Sequence, residues 1–181
     1  MNKIMKLRDF KGNYQYSEIK TLSKDHIDKI MELQEVIIDN LENKNLFART
    51  ERNEFENMIN GNGQVIGVTT EKDELIAFGA MVIPGLEDFN LGYDLNFSKD
   101  KLLKVAHIES TVVHPMFRGN GIQKILCKGL EEVAMERSCE IFCATVAPDN
   151  EFSLRTFLSS GYKIAIEKEK YGGLKRFIVI K

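Results

Sequence analysis

Two stretches of the chain carry residue types and spacings that could do chemistry. In "FRGNGIQKIL" (117–126), Gly119, Asn120 and Gly121 follow Arg118 and precede Ile122, Ile125, Leu126, Leu130 and Val133, a run that turns apolar at helical spacing. Main-chain N–H groups at a helix start have no internal acceptor and carry a partial positive charge of about half a unit. Glycines keep side chains off those groups, and Arg118 adds a fixed charge at the rim. The result is either a seat for phosphate or pyrophosphate or a glycine-rich strand-to-helix turn that binds nothing. Just upstream, in "VAHIESTVV" (105–113), His107, Glu109 and Thr111 alternate and are expected on one face of a strand. A histidine and a carboxylate so placed either move a proton for a substrate or form a structural polar pair.

The tripeptide Gly-Asn-Gly also stands at 61–63, with the opposite surroundings. It follows a helical stretch and precedes a β-rich one, so Gly61 is expected at the helix end with positive φ, and the copy turns a corner. The copy at 119–121 lacks the Gly-Lys-Ser/Thr ending of a P-loop. Lys124 stands where a dinucleotide fingerprint needs its third glycine.

These residues need a scaffold. The 181 residues, 43% hydrophobic and 29% charged, suit one domain (1–181) with a real core. A net charge of −2 argues against a nucleic-acid binder, and no apolar run approaches the roughly 18 residues of a membrane helix. Cys127, Cys139 and Cys143 form no CxxC, so neither a disulfide framework nor a metal site is read, and the chain is expected to be cytoplasmic with reduced thiols.

The patterns predict a strand over "YSEIKTLS", ending at the N-cap candidate Ser23, then an amphipathic helix through Ile27, Ile30, Met31, Ile37, Ile38 and Leu41. A short helix over "ERNEFENMIN" and a hairpin of "QVIGVTT" with "LIAFGAMVI" follow. Residues 84–103 read as an excursion over the surface. Then come the strand 105–113, the glycine loop, a helix to about Arg137, a strand "EIFCATV", a helix "NEFSLRTFLSS" and two strands, "YKIAIEK" and "LKRFIVI". This order gives a mixed α/β or α+β class with a mostly antiparallel sheet.

"VVHPMFRGNGIQKIL" resembles the acetyl-CoA-binding motif of the GNAT superfamily of N-acetyltransferases, roughly Val-x-Pro-x-x-Arg/Gln-x-x-Gly-x-Gly/Ala. Val113, Pro115, Arg118 and Gly121 fall on its positions, and Gln123 departs from the final Gly/Ala. A second motif agrees in Asn150, Ser153, Phe157 and Gly161-Tyr162. The resemblance implies a twisted sheet of about seven strands with helices on both faces, and strands 105–113 and 140–146 splayed to admit the pantetheine arm. It implies acetyl-CoA held by the backbone of Thr111, Val112 and Val113, by the amides of Gly119, Asn120, Gly121, Ile122, Gln123 and Lys124 with Arg118, and by Asn150 and Ser153. Asn150 reads equally well as a helix N-cap.

The implied reaction is direct attack of a primary amine on the thioester, with no metal. It needs a base, an N–H for the oxyanion and an acid for the thiolate. His107 falls where some members carry a catalytic glutamate, and Glu109 is the other base candidate. Val112 or Val113 would supply the oxyanion N–H. Another route is absent, because Thr145 stands where other members have a glutamate. Many members have tyrosine at Phe157, so the acid is open; Tyr171 is a candidate, as is solvent, and Tyr171 also reads as an ordinary turn residue. His26 and His114 are expected at the surface. The alternatives are a silent acyl-CoA sensor and transfer of a longer acyl group. The acceptor and the oligomeric state, a homodimer included, stay open.

Overall fold

The structure, a computed structural model, describes residues 3–181. Eight strands form one sheet in the order β1-β2-β3-β4-β5-β6-β8-β7. They are β1 (Lys3–Arg8), β2 (Tyr14–Thr21), β3 (Gly63–Thr70), β4 (Leu75–Val82), β5 (Val105–Val113), β6 (Ile141–Val146), β7 (Lys163–Lys170) and β8 (Leu174–Ile180). All neighbours are antiparallel except β5 and β6. The strand absent from the sequence reading is β1. Leu7 is its one buried residue and Ile4 is exposed, so "KIMKLR" shows little of the alternation that marks a half-buried strand.

Helix α5 (Ile122–Glu136) covers one face through Ile122, Leu126 and Leu130, joined by Phe157 of α6 (Glu151–Ser159). The other face takes α1 (Ile27–Asp39) and α2 (Arg52–Asn60), which bury Ile30, Leu33 and Phe55 against Phe78 and Val112. His26 is a structural ligand: its Nδ1 accepts the Ser23 N–H at 3.1 Å where the chain enters α1. Residues 84–103 do not merely cross the surface. They form two short helices, α3 (Leu91–Asp94) and α4 (Lys99–Leu102), that bury Leu91 and Leu102. Asn90 fixes them by donating from Nδ2 to the carbonyls of Gly85 (2.6 Å) and Leu102 (3.1 Å). No helix among the described residues is long and apolar enough to cross a membrane.

Two irregularities of β5 shape everything downstream. Its parallel ladder with β6 covers only Val105–Ile108 against Ile141–Ala144. Past that point β5 stays with β4, Val113 opposite Ala77, while Thr145 and Val146 follow β8. The strands part and a gap opens between them. The second irregularity is a bulge: Ser110 faces Ala80 and Ile108 faces Met81, which leaves Glu109 without a partner on β4.

Candidate active site

The bulge overturns the expectation that His107, Glu109 and Thr111 share a face. One extra residue shifts the two-residue phase, so side chains on either side of Glu109 exchange faces. Thr111 points toward α5, where its Oγ1 accepts from Gln123 Nε2 at 3.0 Å. His107 lies under α3 on the opposite face, where its Nε2 accepts the Leu91 N–H at 3.1 Å. Since Nε2 is an acceptor, the ring proton sits on Nδ1, which donates to Glu109 Oε1 at 3.1 Å. His107 is 2% exposed and both its nitrogens are engaged, so it has no lone pair for a substrate. Glu109, partly exposed, keeps its second oxygen for the cleft.

That cleft, of about 740 Å³, occupies the gap between β5 and β6. Glu109 and Thr111 stand on one wall, Thr145 on the other, and Asn150, Ser153 and Phe157 of α6 close one side. Asn150 is the N-cap of α6, its Oδ1 accepting the Ser153 N–H at 3.2 Å. Phe157 is buried, its ring edge-on to Tyr162 at 4.9 Å. The N–H of His114 donates to the Ile76 carbonyl. By antiparallel alternation the Val112 amide belongs to the β4 ladder, and those of Thr111 and Val113 face the gap. The side chain of Val112 packs in the core under α1 and α2. Of the two valines read as oxyanion donors, only Val113 is so directed.

The glycine loop lies beyond Thr111 and Ser153, outside the residues that line the cleft. Gly119 (φ +83°) and Gly121 (φ +69°) hold left-handed conformations, and a Cβ on either would meet only open space. Among the described residues, the N–H groups of Gly119, Asn120, Gly121, Ile122, Gln123 and Lys124 meet no acceptor. The Asn120 side chain holds the loop in place. Its Oδ1 accepts the Arg8 N–H at 3.0 Å, and its Nδ2 donates to the carbonyls of Arg8 (2.7 Å) and Phe117 (2.9 Å). Arg118 and Arg8 flank a hollow of about 290 Å³ beside it. Gln123 Nε2 also donates to Ser153 Oγ at 3.1 Å, so its amide ties β5 to α6. His114 is half-buried; its Nδ1 accepts the Met116 N–H at 3.2 Å, and burial followed by the Arg118 charge lowers its pKa.

The other Gly-Asn-Gly turns its corner differently from expectation. Gly61 has φ −124°, not positive; it is glycine because a Cβ would come within 2.9 Å of the Asn57 carbonyl oxygen.

Tyr171 sits in the β7–β8 turn at φ +53°, a conformation that bulky side chains rarely adopt. That twist swings its ring over the cleft, where its hydroxyl lies 2.9 Å from Thr145 Oγ1. Although the residue as a whole is 49% exposed, desolvation within the cleft, and then the charge of Glu109, shift its pKa upward from the ordinary tyrosine value. The guanidinium of Arg176, a residue only 3% exposed, lies 5.7 Å from the centre of the ring. Sequence reasoning missed Arg176 and Glu54 as cleft residues. They arrive from the last strand and from α2, and no local motif links them to residues 105–124.

The acetyltransferase (GNAT) family model matches residues 30–162. The chain belongs to the GNAT acetyltransferase family. Among solved structures, the GNAT fold here is similar to an N-acetyltransferase from Staphylococcus aureus Mu50, at TM-score 0.68 and 16% identity over 91% of this chain and 97% of that one. It is similar also to the PaiA N-acetyltransferase of Thermoplasma acidophilum in complex with coenzyme A (0.64, 15%, 91% and 98%). A third is the ribosomal-protein-alanine N-acetyltransferase of Brucella melitensis (0.66, 18%, 90% and 98%). No curated protein matches by sequence. The mixed α/β fold, with its mostly antiparallel sheet, is that of GNAT structures, with eight strands where about seven were expected.

Proposed function

We propose that this GNAT protein moves the acetyl group of acetyl-CoA to a primary amine. The observation that carries the reading is the meeting of Glu109 and the Tyr171 hydroxyl in one cleft, with the unpaired amides 119–124 lying beyond the Gln123 side chain that ties Thr111 to Ser153 at its wall. Those amides and Arg118 suit a pyrophosphate, and the bare Cα of Gly119 and Gly121 leaves it room to approach. The edge of β5 offers Thr111 and Val113 to a pantetheine arm in the manner of an added strand. Gln123, Asn150 and Ser153 line its course. Acetyl-CoA supplies an activated thioester.

Glu109 takes the proton of the incoming ammonium, directly or through one water. His107 is a positioning residue: anchored by Leu91, it holds one carboxylate oxygen and leaves the other toward the amine. The Val113 or Thr111 amide receives the developing oxyanion. Tyr171 gives its proton to the departing thiolate, and its raised pKa keeps that proton in place until then. Phe157 has no hydroxyl and by itself would favour a silent sensor; Tyr171 supplies a hydroxyl to the same cleft. The test is release of free CoA thiol from acetyl-CoA across a panel of amines, with the product read by mass spectrometry. Coenzyme binding with no release for any amine would sink catalysis and leave the sensor.

A further inference from the structure

The cleft is lined by the carboxylates Glu54, Glu87 and Glu109 and by three cations. Of the cations, Arg49 is paired with Glu35 at 2.5 Å and Glu51 at 3.4 Å, and Lys170 with Asp94 at 2.6 Å. Arg176 is the exception. Among the described residues no carboxylate lies within ion-pair distance of it, although it is 97% shielded from water. Two of its donors reach main-chain carbonyls, Nη1 to Lys175 and Nη2 to Asn45, both at 2.9 Å. Carbonyl dipoles orient a guanidinium but do not neutralise it, and a buried cation without a counter-charge is costly to keep.

We infer that Arg176 receives a carboxylate borne by the acceptor itself, so that the substrate is a small zwitterion, an amino acid with its amine at Glu109 and its acid group at Arg176. The inference rests on the acetyl transfer proposed above and names its substrate class. Glu109, Tyr171 and Arg176 line the same cleft, the Tyr171 hydroxyl at Thr145 and Arg176 beside the same ring. The spacing of amine and carboxylate that fits is what the comparison of α-, β- and γ-amino acids reads. A polyamine with its second ammonium at Arg176 would meet a like charge, whereas one directed to Glu54 or Glu87, which also line the cleft, is the competing acceptor. The unpaired guanidinium disfavours protein lysines too, which bring an amide in place of the acid.

The decisive experiment compares amino acids with their own carboxamides as acceptors for the full chain, pair by pair, including β-alanine and γ-aminobutyrate with their amides. A site built around a charged partner rejects its neutral isostere strongly, so at least one free acid is expected to exceed its amide by about a hundredfold in kcat/KM. Arg176→Met should bring that ratio near one, and Arg176→Lys should retain part of it. A purely structural strut would slow both members of a pair alike and leave the ratio unmoved. Amides or polyamines used as well as the free acids would overturn the inference while leaving amine acetylation intact. Should no amine be acetylated, calorimetric titration with free acids and amides, in the presence of a non-reactive CoA thioether, still reads the same preference. Equal binding of acid and amide there overturns it.

Discussion

His107 donates from Nδ1 to Glu109 Oε1 at 3.1 Å, while the far nitrogen of the same ring accepts the main-chain N–H of Leu91. The pair is thereby directional: the carboxylate faces the cleft and the imidazole faces protein.

Glu109→Gln is accordingly expected to lower kcat/KM by about 10²–10³, since general-base catalysis contributes on that order. His107→Gln should cost less, about tenfold. Steady-state rates with a saturating coenzyme check both. An unchanged kcat/KM in Glu109→Gln would mean that the base lies elsewhere.

Tyr171 is expected to hold its proton beyond the ordinary tyrosine value of 10.0, because desolvation within the cleft and the Glu109 charge both disfavour the phenolate. The protonated form is the acid, so its loss should not limit the rate below about pH 10. Tyr171→Phe should lower kcat by about 10–100-fold with little effect on coenzyme affinity. Presteady-state thiol release separates this from slow product departure.

The two Gly-Asn-Gly segments should respond differently. Gly121→Ala forces a Cβ onto φ +69° and into the open space beside the loop, where the proposed anion would approach. It should weaken CoA binding at least tenfold, besides a conformational cost of about 1–2 kcal/mol. Arg118→Ala should weaken CoA binding also. Gly61→Ala meets the Asn57 carbonyl and should lower Tm with CoA affinity unchanged. Calorimetric titration with CoA, beside thermal melts, distinguishes them.

Gln123 ties Thr111 to Ser153 across the groove proposed for the pantetheine arm. Truncating it to the small residue of the family motif removes hydrogen bonds that must open for entry, each worth about 1 kcal/mol. Gln123→Ala should therefore speed CoA association and tighten Kd a few-fold by stopped-flow measurement. Weaker binding would show that the side chain serves the bound coenzyme instead.

At the edge of the molecule, Asp73 meets Lys20 at 2.7 Å and Lys29 at 2.5 Å, hydrogen bonds and charges that hold its pKa at about 2 against an ordinary 3.8. A carboxylate depressed by folding stabilises the protein above its unfolded pKa and ceases to do so as pH falls through the folded one. The Tm gap between the natural chain and Asp73→Asn should be present at pH 6, shrink below about pH 4 and vanish near about pH 2. A pH-independent gap would exclude this linkage.

Legibility in the sequence followed the locality of the signal. The strand 105–113, the glycine loop and the helix beginning at Ile122 have strong local periodicity and stand where the pattern puts them. β1 was illegible because an edge strand buries too little to alternate. The bulge at Glu109 was illegible because it depends on how β4 pairs, not on the composition of β5. The same cause hid the anchoring of His107, whose partner is a main-chain N–H sixteen residues upstream. Arg176 was hidden more deeply still, since its meaning lies in a counter-charge that no neighbour provides.

The double bond-pair between Asn120 and the main chain of Arg8 has an architectural consequence. The outermost strand precedes the segment that defines the family, residues 30–162, yet it grips the loop on which the anion seat depends. A shortened chain trimmed to the family boundaries would keep every motif and lose the buttress behind them, so its glycine loop would have to find its shape unaided.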